Sequence, residues 1–266
     1  MPKVSVIMGV YNVGDTLAEA MDSLFSQTFN DFEVIICDDG SKDNTIEVVT
    51  SYFNKYPKQI ILLKNKKNLG LNYTLNRCLD VATGEYIARM DGDDISVPER
   101  FEKQVRFLDE HPEYSIVSSP MVLFDEKGDF RTTTAIEFPK KVDCVKSNPF
   151  CHAPVMIRAE AYKKIGGYTV NKKMLRVEDV DLWFKLCAAG YRGYNFQEPL
   201  YKMRDDREAT SRRKFKYRLN STYTRLVGCK NVSMPFIYYI YAFKPIIIGL
   251  IPRPLYVYLH RKKNSK

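Results

Sequence analysis

The sequence lacks several features that would place it in other classes of protein. Its six cysteines form no Cys-x-x-Cys pair, so we expect no cysteine metal site and treat the thiols as small apolar side chains. No positively charged segment with a long apolar run opens the chain, so we expect no signal peptide. No uncharged apolar stretch reaches the roughly 20 residues of a membrane span. These absences predict a protein of the reducing cytoplasm.

Acidic residues are missing from the C-terminal part of the chain. Every Asp and Glu lies at or before Glu208, and residues 209–266 carry 13 of the 41 Lys and Arg residues. The net charge of the whole chain is +9, so residues 1–208 are mildly acidic and the basicity belongs to the tail. A basic tail with many aromatic residues predicts attraction to an anionic surface, either phospholipid or nucleic acid.

The hydrophobic pattern predicts a doubly wound, mostly parallel α/β sheet flanked by helices, with a basic amphipathic C-terminal helical tail. Strand-like runs cover residues 4–8, 32–37, 60–63 and 86–90. Helix-like spacing covers residues 17–25, 43–56, 71–82 and 98–110. The second half is less regular, with short strands within 115–124 and 153–157 and helices over 176–189 and 211–227. A chain of 266 residues is long enough for one large core with an appendage.

Polar side chains follow three of the predicted strands, where open α/β sheets bind their ligands. They are Tyr11 and Asn12, Asp38 and Asp39, and the crowded trio Asp91, Asp93 and Asp94. Carboxylates this close repel one another, and a divalent cation would relieve the repulsion. A helix-capping turn at Asp38 and Asp39 and a solvated turn at residues 91–94 are the alternatives.

A second Asp-x-Asp triplet, Asp179 and Asp181, lies in a helix-like segment. Residues three or four apart share a helix face, so Asp179 lies with Leu182 and Trp183 on the apolar face. Asp181 lies instead with Lys185, as an ordinary exposed pair. Burial raises the proton affinity of a carboxylate, which suits Asp179 to the role of general base. A buried Asp paired with an Arg is the alternative.

Five motifs in this order resemble those of family 2 glycosyltransferases, in particular the branch that builds bacterial capsule and exopolysaccharide. The similarity spans about residues 3–205. The motifs are residues 4–12, Asp38-Asp-Gly-Ser41, Asn68-Leu-Gly70, Ala88-Arg-Met-Asp-Gly-Asp-Asp94 and Glu178-Asp179. His152 with Arg158, residues 166–168 and Asp181-Leu-Trp183 resemble further features of that branch. Gly9 stands where the first motif commonly has proline.

The resemblance implies a GT-A fold and inverting transfer of a sugar from a nucleotide diphosphate donor, most often UDP-linked, to a hydroxyl of a lipid-linked or growing saccharide. It implies that Asp179 is the base and that Asp91 and Asp93 flank Mg²⁺ or Mn²⁺. The implied nucleotide and donor contacts are Tyr11, Asn12, Asp38, Asp39, Asn68, Gly70, Arg89 and Asp91. The implied acceptor-side residues are His152, Glu178 and Trp183.

The resemblance also divides the chain. Residues 1–208 form the catalytic domain, with a nucleotide-binding half of about residues 1–95 and an acceptor half of about 96–208. Residues 209–266 form the tail. Apolar and aromatic residues beside Lys and Arg predict an interfacial anchor on the anionic inner face of the cell membrane. Helices packed on the catalytic domain are the alternative for the tail.

Two other functions remain open at the level of sequence. A nucleotidyltransferase that acts on sugar phosphates also uses carboxylates at strand ends, but residues near the first strand form no glycine-rich loop with a phosphate-binding lysine. A nucleic-acid-binding protein would use the basic tail to follow phosphates. We expect a hexosyl- or N-acetylhexosaminyltransferase rather than either alternative.

Overall fold

The computed structural model describes residues 1–205 and 214–251. Three features of the sequence lie outside the described residues. They are the predicted domain boundary at residues 208 and 209, the first residues of the predicted basic helix, and the basic end of the tail that includes Arg253 and residues 261–263.

Strands and helices alternate through the first hundred residues, as the hydrophobic pattern predicts. The strands are β1 (Val4–Val10), β2 (Phe32–Asp38), β3 (Ile60–Lys64), β4 (Tyr86–Arg89), β5 (Ile95–Ser96), β6 (Ile116–Ser118), β7 (Val122–Asp125), β8 (Gly128–Thr132), β9 (Met156–Arg158), β10 (Gly193–Asn195) and β11 (Tyr201–Arg204). The helices are α1 (Leu17–Phe25), α2 (Thr45–Lys55), α3 (Leu71–Leu79), α4 (Arg100–Glu110), α5 (Asp143–Lys146), α6 (Ala159–Ile165), α7 (Glu178–Ala188), α8 (Phe215–Asn231) and α9 (Lys244–Leu250).

The central sheet confirms the predicted fold class. Among the described residues it has seven strands in the order β10-β6-β9-β4-β1-β2-β3. β1 pairs in parallel with both β2 and β4, and only β9 runs antiparallel to its neighbours β4 and β6. The carboxyl ends of β1, β2 and β4 therefore lie at one edge of the sheet, where the predicted site residues follow them.

Each face of the sheet is covered by its own hydrophobic core. Because successive side chains of a strand point to opposite faces, β1 contributes to both cores. Val4, Val6 and Met8 pack in the core that includes residues of α1 and α4. Ile7 packs on the other face with residues of α3, α7 and α8. The near-complete burial of β1 explains why it reads as a continuous apolar run.

A second, smaller sheet lies beside the carboxylate turn at residues 91–94. Its strand order is β5-β11-β7-β8. β11 pairs antiparallel with β5, which immediately follows the turn, and parallel with β7. The short strand β5 was not predicted because two residues carry no periodicity. This sheet holds the far side of the turn that Asp91 begins.

Helix α8 packs against its neighbour α7. Cys229 is fully buried, and Val232 and Met234, which follow the helix, are 3% and 8% exposed. All three belong to the same core as Ile7 and Trp183. A Cβ atom at Gly228 would lie 2.3 Å from Cγ of Phe184 on α7, so the glycine permits the close approach of the two helices. Within the described part of the chain, the helices are too short or too polar to cross a membrane.

We expect Gly228→Ala to lower the free energy of unfolding, although alanine favours helix over glycine by about 1 kcal/mol. The added methyl group cannot fit 2.3 Å from the Phe184 ring, and overpacking of this kind costs about 1–3 kcal/mol or more. Denaturant unfolding measures the change. Lys230→Ala, at an exposed position of the same helix, is the control. A gain in stability for Gly228→Ala would show that α8 does not pack this closely.

Candidate active site

A pocket of about 260 Å³ lies beyond the carboxyl ends of β1 and β2. Five of the predicted site residues line it: Tyr11, Asp39, Asn68, Gly70 and Glu178. The strand ends supply one wall, and the first turn of α7 supplies Glu178 on another. Arg176, which precedes α7 and has a left-handed φ of 64°, also lines the pocket. Positions far apart in sequence therefore meet in one cleft.

Asn12 joins the turn that follows β1 to the turn that follows β2. Its backbone N–H donates to Oγ of Ser41 at 2.9 Å, and its Oδ1 accepts from the backbone N–H of Lys42 at 2.9 Å. The residue has a left-handed φ of 52°, a conformation that asparagine tolerates better than most residues. Its neighbour Tyr11 is 41% exposed and presents its ring to the pocket.

Asp38 and Asp39 are both buried but have different partners. Oδ1 of Asp38 accepts from the N–H of Ser41 at 3.0 Å, while its buried Oδ2 has no partner among the described residues. Asp39 accepts from the N–H groups of Leu69 and Gly70 at 2.8 and 2.9 Å. It also accepts from the side chain of Asn65 at 2.8 Å. Asp39 therefore fixes the loop before α3, whereas Asp38 fixes the turn that follows β2.

Arg89 lies at the centre of the charged part of the site. Its Nη2 donates to Oδ1 of Asp91 at 2.5 Å, and the residue is 5% exposed. Burial is the largest single influence on Arg89 and would lower its pKa, but Asp91 and the acidic groups around it, Glu178 among them, together outweigh burial and raise the pKa. The same guanidinium interacts electrostatically with Glu178 and His152. Arg89 thus links the turn after β4 to α7.

The three carboxylates of residues 91–94 have different environments. Asp94 is 2% exposed, and its Oδ1 accepts from the N–H of Arg204 at 2.8 Å, which ties the turn to β11. Burial, then Asp91 and Asp93, raise its pKa. Burial and the charge of Asp91 likewise raise the pKa of Asp93. Asp94 therefore ties the turn to β11 and shares in the repulsion among the three carboxylates.

Asp91 and Asp93 offer the donor atoms that Mg²⁺ and Mn²⁺ prefer. Burial, and after it the charge of Asp91, raises the pKa of Asp93, and a cation would stabilise both ionised carboxylates. No group of three or more metal-ligating side chains forms within residues 1–205 and 214–251. Two carboxylates fit a cation that takes its other ligands from a diphosphate and water.

The first turn of α7 carries Glu178 and Asp179. Oδ2 of Asp179 accepts from Nδ2 of Asn148 at 2.6 Å. Burial and the neighbouring charge of Asp179 raise the pKa of Glu178, while the amino end of a helix favours negative charge in both. Asp181 and Lys185 were predicted to form an exposed pair, but both residues are half-buried. Nζ of Lys185 donates to the carbonyl of Gly167 at 2.6 Å.

His152 and Trp183 belong to an aromatic cluster behind the cleft. Nε2 of His152 lies 2.9 Å from the hydroxyl of Tyr168, and the imidazole meets Trp183 edge to face. Burial, then the positive charge of Arg89, lower the pKa of His152 well below its usual value, so the ring is neutral at physiological pH. Trp183 itself is 2% exposed.

Several residues of the site had no signal in the sequence. Asn148 lies in an irregular segment, and Tyr201 lies in a strand that was not predicted. The hydroxyl of Tyr201 accepts from the N–H of Asp91 at 3.2 Å. Arg204 donates to the carbonyl of Asp93 at 3.1 Å and pairs with Glu19 of α1. Only the folded chain brings these positions together.

A mostly parallel sheet whose strand ends form a cleft, with an acidic helix turn on the far wall, agrees with the predicted GT-A fold. Residues 5–166 match the profile described as glycosyl transferase family 2. The chain belongs to this family of enzymes.

Relatives and solved structures agree with the assignment. The putative glycosyltransferase EpsE of Bacillus subtilis is 43% identical over 262 residues, which are 98% of this chain and 94% of EpsE. The Escherichia coli enzyme WfaP, named as a UDP-Glc:α-D-GlcNAc-diphosphoundecaprenol β-1,3-glucosyltransferase, is 28% identical over 73% of this chain and 74% of its own. Staphylococcus aureus TarS 1-349 in complex with UDP-GlcNAc superposes with a TM-score of 0.71 at 20% identity, over 91% of this chain and 70% of that chain.

We expect Asp39→Asn to destabilise the protein more than Asp38→Asn. Asparagine at position 39 keeps one acceptor oxygen where the carboxylate serves three donors, and hydrogen bonds to charged groups contribute about 1.5–3 kcal/mol each. The same change at Asp38 leaves an oxygen for the backbone N–H of Ser41, the donor that Asp38 has among the described residues. Denaturant unfolding of both variants measures the difference. An equal loss of stability would contradict the role given to Asp39.

Proposed function

We propose that the protein is a metal-dependent, inverting glycosyltransferase of polysaccharide synthesis. It transfers a hexosyl or N-acetylhexosaminyl group from a UDP-sugar to a hydroxyl of a lipid-linked or growing saccharide. The observation that carries the proposal is the cleft itself, where Tyr11, Asp39, Asn68 and Gly70 at the strand ends face Glu178 beside Asp179.

The nucleoside binds at the ends of β1 and β2. The exposed ring of Tyr11 offers a surface for stacking on the base. The buried Oδ2 of Asp38, which lacks a partner among the described residues, accepts a hydrogen bond from a base N–H. Asn12 and Asp39 hold the two surrounding turns in place. Such an acceptor favours a base that presents an N–H group at this position, as uracil does.

The diphosphate binds at the turn after β4. Asp91 and Asp93 hold Mg²⁺ or Mn²⁺, with Asp91 oriented by its short contact to Arg89. A cation held there would supply positive charge against the negative charge that develops on the departing diphosphate. Arg89 fixes one ligand and adds positive charge beside the leaving group, and Asp94 keeps the turn in register with β11.

Asp179 acts as the general base on the acceptor hydroxyl. It lies in the first turn of α7, beside the wall of the cleft that Glu178 supplies. Removal of the acceptor proton by a positioned base contributes about 10²–10⁴ in rate. Attack from the face opposite the diphosphate inverts the anomeric carbon in one displacement, so no second carboxylate is needed as a nucleophile. His152 and Trp183 pack against each other on the side of the cleft where the acceptor binds.

The surface of the C-terminal segment suits an enzyme whose acceptor lies in a membrane. Large apolar side chains of residues 236–250 are exposed: Phe236 at 88%, Ile237 at 75%, Ile240 at 68%, Ile247 at 57% and Leu250 at 70%. An exposed apolar surface of this kind marks a binding site for protein or lipid. The basic balance of residues 209–266 favours an anionic leaflet. We propose that this patch, residues 236–250, rests on the cytoplasmic face of the membrane.

The first test of the proposal is UDP release from UDP-Glc or UDP-GlcNAc, with an alkyl-linked α-GlcNAc diphosphate as acceptor and Mn²⁺ or Mg²⁺ present. We expect Asp179→Asn to reduce acceptor-dependent release by at least 10²-fold, because the base is lost. Its affinity for UDP, measured by calorimetry, is expected to match that of the wild type. Release of pyrophosphate from UTP in place of UDP would identify a nucleotidyltransferase instead.

Asp93→Ala tests the metal site. We expect the variant to lose about tenfold or more in UDP affinity when Mn²⁺ is present, because one carboxylate of the cation site is removed. In EDTA the variant and the wild type are expected to bind UDP equally weakly. Equal UDP affinity of the two proteins in Mn²⁺ would contradict metal binding at Asp93.

Vesicle sedimentation tests the membrane patch. We expect the wild type to bind vesicles that contain phosphatidylglycerol, and the triple variant Phe236→Ser, Ile237→Ser, Ile240→Ser to bind them much less. Ile136→Ser with Phe138→Ser, at residues 46% and 53% exposed, removes apolar side chains elsewhere and is the control. Undiminished binding by the triple variant, or binding to DNA but not to vesicles, would refute the proposed surface.

A further inference from the structure

We propose that Asn148 is a positioning residue for Asp179, and that Arg225 of helix α8 sets the orientation of its amide. The inference rests on the proposed role of Asp179 as the base. It assigns part of the active-site geometry to the C-terminal helix, which contributes no residue to the lining of the donor pocket.

The amide of Asn148 bridges a cation and an anion. Its Nδ2 donates to Oδ2 of Asp179 at 2.6 Å, and its Oδ1 accepts from Nη2 of Arg225 at 3.1 Å. A guanidinium only donates and a carboxylate only accepts. The amide therefore has one satisfactory orientation, with oxygen toward Arg225 and nitrogen toward Asp179. A flipped amide would place oxygen against the carboxylate and NH₂ against the guanidinium.

Arg225 is itself held by the chain that leads to Asn148. Its Nη1 donates to the carbonyls of Cys144, Val145 and Ser147 at 2.6, 2.9 and 3.1 Å. These carbonyls belong to α5 and the residue after it, where a helix end leaves acceptors unsatisfied. Arg225 is 8% exposed, so its guanidinium is fixed by packing as well as by hydrogen bonds.

The charges of Arg225 and Asp179 also interact. Burial lowers the pKa of Arg225, and the carboxylate of Asp179 acts in the opposite direction. Glu178 on its own helix and Arg225 on α8 are two of the charged residues that interact with Asp179. The neutral amide of Asn148 connects Arg225 to Asp179 through hydrogen bonds and adds no charge of its own. The carboxylate is oriented, and a fixed positive charge behind the amide favours its ionised, basic form.

The opposite side of α5 is held by the segment that follows α8. The ammonium of Lys146 lies over the rings of Tyr238 and Tyr241, at 5.6 and 5.3 Å from their centroids. Nζ of Lys244 donates to the carbonyl of Lys146 at 3.1 Å. Residues 143–148 are therefore clamped between α8 and the start of the membrane patch. The position of Asn148 depends on this C-terminal packing.

The test compares Asn148→Ala and Asn148→Asp in the full-length protein. Asn148 is exposed, so both variants are expected to fold with an unchanged Tm. For Asn148→Ala we expect kcat for acceptor-dependent UDP release to fall about 10- to 100-fold, the equivalent of one hydrogen bond to a charged group. The Kd for UDP in Mn²⁺ is expected to stay the same, because the donor pocket is untouched.

Asn148→Asp keeps the size of the side chain and replaces the donor with a negative oxygen. Two carboxylates in contact hold a proton more tightly than one. We therefore expect a larger loss than for Asn148→Ala at pH 7, and an acidic limb of the pH–kcat profile moved to higher pH. Activity is expected to recover partly in alkaline buffer. A purely structural role would lower kcat alike at every pH.

The variant Arg225→Lys tests the contribution of α8. A lysine keeps the charge but cannot serve Asn148 and several carbonyls with one planar group. We expect a partial loss of kcat, and we expect Asn148→Ala to cost less in the Arg225→Lys background than in the wild type, because both act through one contact. Full additivity of the two changes would refute the role of Arg225.

The outcomes separate this inference from the proposed function. Wild-type kcat for Asn148→Ala, or the same pH profile for both Asn148 variants, would overturn the positioning role while leaving the transferase intact. Retained transfer by Asp179→Asn would overturn the function itself. A loss of kcat by Asn148→Ala with unchanged UDP affinity, together with the alkaline shift for Asn148→Asp, would establish the inference.

Discussion

The parallel pairing of β1 with strands on both of its sides is the constraint on which the site depends. Because β2 and β4 run in the same direction as β1, the segments that follow all three strands must emerge at one edge. Parallel ladders require covered faces, and two cores supply that cover. The pocket follows from this pairing, since its wall consists of strand ends and the helix starts that continue from them.

Concentrating carboxylates at that edge is electrostatically unfavourable, and the surrounding residues limit the cost. Arg89 offsets Asp91, and the hydroxyl of Tyr201 and the N–H of Arg204 stabilise the turn. Burial and the remaining charge of Asp91 both raise the pKa of Asp93. Natural proteins keep such local strain where binding of a ligand relieves it, and the proposed cation and diphosphate would relieve it here.

Sequence patterns were sufficient to predict features that depend on residues close together in the chain. The order of strands and helices in residues 4–90 followed from apolar spacing, and the helical geometry of residues 178–188 placed Asp179 on the same face as Trp183. Contacts between distant positions could not be derived in this way. The partner of Asp179 is 31 residues away, and the partner of Asn148 on α8 is 77 residues away. Nothing in the local sequence of Arg225 distinguishes it from the exposed basic residues of the same helix.

The burial of Cys229, Val232 and Met234 beside Ile7 has a consequence for how the protein is made. A core that joins the first strand to the segment after α8 cannot close until almost the whole described chain has left the ribosome. Strands β1, β2 and β3 pair with strands that are close in sequence, so this part of the sheet can form early. The sheet face that α7 covers stays exposed until α7 has been synthesised. During synthesis the protein therefore passes through a stage in which the first strands are paired while one apolar face of the sheet is open, and at that stage it most needs protection by chaperones.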